Sequence, residues 1–224
     1  MSMLTNLDLL RRVPMFSLLS QEQAESLSGA VVKQRFKRGD RIVEQGNKSD
    51  ALYIILAGHG RVVMTDGQGK EVILATLQAG DYIGEMSLID NEAHSATVEA
   101  EIQTDVLVLG RAEFTRSLGA SPSMAYAIMR GLVQRLRHAD RKIGSLALMN
   151  VYGRVANVLL DAAKVSPLQD MTIHDKLSRQ DIAKMVGASR EMVSRVMKDF
   201  EEQGFVVPLE GGGMRIKERR SRPR

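Results

Sequence analysis

The hydrophobic pattern of this 224-residue chain changes period at Pro122, and that change limits the folds open to it. From Lys33 to about Gly110, short runs rich in Val, Ile, Leu and Tyr alternate with turn-forming groups. The runs are Arg41–Glu44, Ala51–Leu56, Arg61–Thr65, Glu71–Leu77 and Thr104–Leu109. Arg38-Gly39-Asp40, Gln45-Gly46-Asn47, Asp66-Gly67-Gln68-Gly69 and Ala79-Gly80-Asp81 punctuate the series. Short strands at roughly ten-residue spacing predict a sandwich or jelly-roll barrel. Asn6 to Ala30 reads as short helices packed on its outside.

From Pro122 to Asn150, apolar or small residues recur at Met129, Leu132, Leu136, Ala139, Ile143 and Leu146, with Asn150 closing the series. Steps alternating between three and four residues draw one stripe along a helix, the pattern of a coiled-coil seam. Pro122 suits the first turn, where its missing N–H leaves nothing unpaired. A helix packed on its own domain also carries an apolar stripe. The regular alternation favours a second, identical helix, so a homodimer is expected.

Beyond Val151 the sequence is helical again, with a loop at Ser166-Pro167-Leu168. Phe205-Val206-Val207 and Met214-Arg215-Ile216 flank Glu210-Gly211-Gly212-Gly213, which predicts a β-hairpin. The tail from Lys217 to Arg224 is too polar to pack and is expected to stay unfolded, adding unspecific attraction to phosphates. Lys and Arg exceed Asp and Glu by four in the whole chain, and residues 151–224 hold that entire excess. Such a distribution suits a polyanionic partner, although a solvated basic face would give the same count.

Other classes are disfavoured by what the chain lacks. It has no cysteine, which rules out disulfides, thiolate-held zinc, iron–sulfur clusters and a cysteine nucleophile. The four histidines, His59, His94, His138 and His174, are scattered, and no Ser/His/Asp set, metal-ligand cluster or Walker loop appears. No catalytic activity and no metal site are expected. Polar residues interrupt the leucines near Met1, unlike a secretory signal, and no apolar run approaches a membrane span. A cytoplasmic protein without membrane contact is expected.

Leu177 to Phe200 has helix-turn-helix grammar. Ser178 with Asp181 three residues on resembles a capping box. Ile182, Ala183 and Val186 form a buried face, and Ala183 permits a close helix crossing. Gly187 supplies the left-handed conformation of a tight turn. Ser189 caps a second helix whose apolar face is Met192, Val193, Val196, Met197 and Phe200. Arg190, Glu191, Ser194, Arg195 and Lys198 are then left facing outward. Arg can form two hydrogen bonds to guanine O6/N7, and a carboxylate accepts from cytosine N4. A surface salt bridge on a plain helical hairpin would use the same residues. The turn glycine, two caps and the exposed Arg/Glu/Arg set together point to double-stranded DNA.

With these segments in this order, the chain resembles catabolite-activator-type (CRP/FNR family) regulators over nearly all of its length. Ser-Arg-Glu-x-Val-x-Arg at Ser189 to Arg195 carries the closest resemblance, and Val151-Tyr152-Gly153-Arg154-Val155-Ala156 resembles the family's entry into the DNA-binding domain. The resemblance implies an α+β fold: an N-terminal β jelly-roll of cyclic-nucleotide-binding type over residues 1–121, a dimerisation helix over 122–150 and a winged helix-turn-helix over 151–224. It implies half-sites of the TGTGA kind, with Arg190 and Arg195 on guanines and Glu191 on the opposing cytosine. Arg179, Gln180, Ser189 and Lys198 would meet phosphates, and RNA polymerase would be a partner.

At the sensory end, Tyr82-Ile83-Gly84-Glu85-Met86-Ser87-Leu88 resembles the phosphate-binding cassette of a cyclic-nucleotide pocket. There Gly84 would let the ligand approach the backbone and Glu85 would accept from the ribose 2′-OH. Cyclic-AMP receptors carry an Arg-Ser pair about ten residues on; this chain has His94-Ser95. Histidine is shorter, forms no guanidinium fork and is mostly neutral at pH 7. Where those receptors place Thr-Ser against adenine, this chain has Ala139-Asp140. A carboxylate suits the two donors of guanine's Watson–Crick edge. Arg137-His138-Ala139-Asp140 also has the Arg-x-x-Asp spacing of cyclic di-GMP sites, a spacing that ordinary surface ion pairs share. Cyclic di-GMP is the favoured effector, with cyclic AMP and a ligand-free regulator as alternatives. Haem sensing, found in some relatives, lacks a clear ligand pair. A nucleotide-binding module that docks a protein is the rival class.

Overall fold

A computed structural model describes residues 5–11, 13–16, 19–165, 171–174, 177–210 and 212–217. The expected loop at Ser166-Pro167-Leu168, Gly211 of the hairpin and the tail from Glu218 lie outside the described residues. The chain divides into two compact units, residues 1–137 and 138–224.

The first unit opens with α1 (Asn6–Arg11), a 3-10 turn at Pro14–Phe16 and α2 (Gln21–Ser28). The strands are β1 (Val31–Phe36), β2 (Arg41–Val43), β3 (Ala51–Ala57), β4 (His59–Thr65), β5 (Glu71–Gln78) and β6 (Tyr82–Ile83), then α3 (Glu85–Asp90), β7 (Thr97–Ala100) and β8 (Thr104–Gly110). Next come α4 (Arg111–Ala120) and α5 (Pro122–Leu148), of which residues up to Arg137 belong to this unit. Two antiparallel four-stranded sheets form, in the orders β1-β8-β3-β6 and β2-β7-β4-β5. This is the jelly-roll the strand spacing predicts.

Strand β3 shows why the sheets stay together. Leu52 and Ile54 pack with Leu10, Phe16, Leu27 and Phe114 of the covering helices, whereas Ile55 joins Val98, Ala100 and Val106 between the sheets. Fully burying each such side chain contributes about 1.5–3 kcal/mol. Three strands were not evident in the sequence. In β1 only Val31 and Phe36 are buried, with four exposed residues between them. Strand β6 is two residues long, and β7 buries small side chains at Thr97, Val98 and Ala100.

In the second unit, the end of α5 leads to α6 (Val151–Ala162), β9 (Lys164–Val165), β10 (Met171–Ile173), α7 (Arg179–Val186), α8 (Arg190–Glu202), β11 (Val206–Pro208) and β12 (Met214–Ile216). The expected hairpin is present, with Val206 paired to Ile216 and Pro208 to Met214. It belongs to an antiparallel sheet ordered β11-β12-β10-β9, so the region between Val151 and the hairpin, read as helical with one loop, also contains two strands. Val155, Leu159, Ile182, Val193, Val196 and Met197 form the core under the sheet.

Helix α5 carries the expected stripe, with Met129, Leu136, Ile143 and Leu146 exposed. Leu132 instead packs partly against the jelly-roll core. Asn150 does not extend the stripe: α5 ends at Leu148, and Asn150 Oδ1 accepts from the Gly153 N–H at 3.0 Å, capping α6. Asparagine is well suited to that cap because its side-chain oxygen satisfies an amide the helix start leaves free.

Candidate functional site

Two side-chain caps and one glycine build the helix-turn-helix. Ser178 Oγ accepts from the Asp181 N–H at 3.0 Å, and Ser189 Oγ accepts from the Met192 N–H at 3.2 Å. Gly187 takes φ +64°, and its N–H bonds the Ala183 carbonyl to close α7. Behind α8, Val193, Val196 and Met197 are buried, and Phe200 meets Tyr152 and Phe205 edge-on at 6.0 and 4.9 Å. Tyr152 also hydrogen-bonds Asp199. Met192, read as part of this apolar face, is 40% exposed, because it falls at the edge of the stripe set by residues 193, 196, 197 and 200.

Opposite that anchored face, Arg190, Glu191, Arg195 and Lys198 are all exposed, with Ser194 half-buried. The Glu191 backbone N–H and the Ser189 hydroxyl hold the Glu191 carboxyl below the usual carboxylate range, with Arg190 and Arg195 adding to the effect. It therefore remains an anionic acceptor at neutral pH. Lys198 makes only a loose pair with Glu202 at 3.7 Å, and Gln180 and Ser189 are exposed. Arg179 is tied to Glu201 at 2.9 Å, joining α7 to α8.

In the jelly-roll unit, Gly84 has φ +94° and starts α3. A Cβ there would fall 2.8 Å from the Ala51 carbonyl oxygen, so both conformation and space require glycine. Glu85 is buried, and its Oε1 accepts from Arg135 Nη1 at 2.6 Å. Burial pushes the Glu85 carboxyl up from its ordinary value, and the Arg135 charge opposes that shift. Arg135 also donates to the Tyr82 carbonyl and lies 4.8 Å from the centroid of the Tyr82 ring.

The Tyr82 hydroxyl donates to the Ile128 carbonyl of α5 at 3.2 Å. A Cβ at Gly131 would lie 1.9 Å from that hydroxyl oxygen, so glycine creates the notch that seats the phenol. Gly131→Ala is expected to cost about 1–3 kcal/mol, as overpacking does. In a Tyr82→Leu background most of that cost should vanish. Urea denaturation of the double-mutant cycle checks the assignment, and an equal cost in both backgrounds would refute it.

The rest of the cassette is held nearby. Ser87 Oγ donates to the Glu92 carbonyl at 2.6 Å, and Arg111 donates to the Ser87 and Leu88 carbonyls at 3.2 and 3.1 Å. His94 is buried, its Nε2 lies 2.8 Å from Ser49 Oγ, and burial lowers its pKa. Its ring lies beside Gly84, with Cε1 3.6 Å from where a Cβ would stand. The structure thus gathers Gly84, Glu85, Ser87 and His94, while Met86 and Ser95 are exposed. Arg137 and Asp140 are exposed on α5, and no hydrogen bond or ion pair holds either among the described residues. Sequence reasoning missed Arg135: it is one of four arginines on α5, and its spacing does not distinguish it.

Comparison with known proteins identifies two domains. Residues 33–121 match the family model of a cyclic nucleotide-binding domain, and residues 153–221 match that of a Crp-like helix-turn-helix domain. The chain is 35% identical over 182 residues to the cAMP-activated global transcriptional regulator Vfr of Pseudomonas aeruginosa, covering 78% of this chain and 84% of that protein. It is 35% identical over 170 residues to the cAMP-activated global transcriptional regulator CRP of Salmonella typhimurium, covering 74% and 80%. The solved structure of the c-di-GMP responsive global regulator CLP of Xanthomonas campestris shares the fold with a TM-score of 0.77 at 24% identity, over 89% of this chain and 100% of that one. With the two domains in this order and relatives of this closeness along most of its length, the chain belongs to the CRP/FNR family of DNA-binding transcription regulators, with a cyclic-nucleotide-binding domain at its N-terminal end.

Proposed function

We propose that this regulator binds, as a homodimer, a palindrome of TGTGA-type half-sites and is controlled by a cyclic-nucleotide effector, with cyclic di-GMP favoured over cyclic AMP. The observation that carries the DNA half of this reading is the exposed Arg190, Glu191 and Arg195 set on an α8 whose opposite face is buried. In the proposed complex, Arg190 and Arg195 pair with guanines and Glu191 accepts from cytosine N4. Gln180, Ser189 and Lys198 contact phosphates; Arg179 would do so only by loosening its tie to Glu201. Residues 1–121 sense, 122–150 dimerise and 151–224 read DNA, in a cytoplasmic protein that works with RNA polymerase. Among the described residues no helix is long and apolar enough to cross a membrane.

Arg195→Ala is expected to cost about 1–3 kcal/mol on the intended site and to relax preference at one guanine position. Lys198→Ala should weaken all sequences alike and reduce the salt dependence. Anisotropy titrations against single-base variants of the half-site distinguish the two effects. Undiminished base preference in Arg195→Ala would overturn this docking.

The effector preference is supported by chemistry at two positions. His94 is buried and uncharged, bonded to Ser49, and offers no guanidinium fork to a cyclic phosphate. Asp140 presents an acceptor-only carboxylate that suits guanine N1–H and N2–H₂, with Arg137 available for O6 and N7. The cAMP-activated relatives favour the cyclic AMP alternative. Calorimetry with cyclic di-GMP, cyclic GMP and cyclic AMP decides between them. Tighter binding of cyclic di-GMP, lost in Asp140→Ala, is expected; binding of cyclic AMP alone, unaffected by Asp140→Ala, would reverse the preference.

A further inference from the structure

Behind the cassette lies an open hollow of about 220 Å³ bordered by Arg41, Glu44, Asn47, Lys48, Ser49 and His94. Ligand sites for whole small molecules usually occupy roughly 300–1,000 Å³, so this one suits a fragment such as a phosphate ester. Its walls are fixed. The Gly46 N–H donates to the His94 carbonyl and the His94 N–H to the Asn47 carbonyl, both at 2.9 Å. Ser49 Oγ and His94 Nε2 are 2.8 Å apart, and the adjoining Cε1 of the imidazole lies beside Gly84. The hollow and the cassette therefore share His94 as a common wall.

The charges around the hollow are unequal. Arg41 is bonded to Glu44 and lies 4.0 Å from Glu99, which leaves its charge compensated. Asn47 Nδ2 donates to Glu44 at 3.1 Å. Lys48 is exposed and has no carboxylate partner among the described residues. With the imidazole proton on Nε2, His94 donates to Ser49 Oγ and leaves the serine proton free to be donated elsewhere. An uncompensated ammonium and, in that tautomer, a free hydroxyl proton thus border the same small hollow.

We propose that this hollow is a phosphate subsite of the effector, in which Lys48 and Ser49 bind an anionic phosphodiester oxygen of the cyclic nucleotide. Lys48 supplies there the positive charge that position 94 does not. A lysine on an exposed loop can serve because an ammonium acts as a compact point charge and needs no forked geometry. This inference rests on the cyclic-nucleotide reading above and adds the location of the phosphate contact.

The test is calorimetry of the full chain and its variants with cyclic di-GMP and with cyclic AMP, using guanosine as the uncharged control. Lys48→Ala should weaken whichever nucleotide the wild type binds by about tenfold, the order of one charge-assisted hydrogen bond. Lys48→Arg should restore binding to within about threefold, since the positive charge is retained. Guanosine binding and the melting temperature should not change in either variant. If the wild type binds a nucleotide and Lys48→Ala binds it equally well, the subsite is wrong and the effector reading stands. If the wild type binds neither nucleotide, both fall together.

Discussion

Arg135→Leu is expected to destabilise the jelly-roll unit by about 3 kcal/mol at neutral pH, because it removes the partner of a buried carboxylate. Glu85 is 1% exposed, whereas the Arg135 side chain is 39% exposed, which places the effect at the low end of values for broken buried pairs. The pH dependence follows from the direction of the Glu85 shift. Burial raises the folded-state pKa of Glu85, and losing Arg135 raises it further. A carboxyl shifted upward in the fold favours the folded state below its unfolded value and loses that contribution as pH rises through the folded value. The penalty in Arg135→Leu is therefore full when Glu85 must ionise and fades as acid protonates it. Urea midpoints of wild type and variant should converge as the pH is lowered from neutral, and adding Glu85→Gln should recover much of the loss at neutral pH. A gap that does not change with pH would assign the loss to the Tyr82 ring contact.

Leu136→Asp should abolish the proposed dimer. Leu136 is 62% exposed on α5, so aspartate there disturbs little within one chain. In a paired seam, the same carboxylate from each copy would be buried without a partner, at a cost of several kcal/mol per ion. Sedimentation should show monomers with the wild-type melting behaviour of the isolated fold. Affinity for the palindrome should fall by about two orders of magnitude or more, because each monomer reaches one half-site and the tethering advantage is gone. A variant that remained dimeric would require another interface.

Much of the architecture was legible because each part depends on a local rule. The period change at Pro122, the caps at Ser178 and Ser189 and the left-handed turn at Gly187 are read from neighbours in sequence, and the structure has all four. Strands β1, β6 and β7 were not legible, since their burial is set by partners distant in sequence: β1 pairs with β8, and β7 with β2 and β4. The exposed set on α8 could be listed from helical geometry alone, although Met192 shows that the edge of an apolar stripe depends on its neighbours. The cassette was recognised as a segment, but its ion pair with Arg135 was not. Arg135 reaches Glu85 across 50 residues, beside the notch that Gly131, one turn earlier on α5, leaves for the Tyr82 phenol. No periodicity marks such a pair; it arises from tertiary packing.

The central claim is that α8 reads sequence in double-stranded DNA, and competition anisotropy tests it directly. The full chain would be titrated onto a labelled palindrome of two TGTGA half-sites and challenged with a scrambled duplex of equal length and composition. Ionic strength would be about 0.15 M, with no nucleotide, cyclic di-GMP or cyclic AMP present in separate titrations. The expected result, in at least one of these states, is a preference for the palindrome of about a thousandfold or more. Equal affinity for both duplexes in all three states would contradict it.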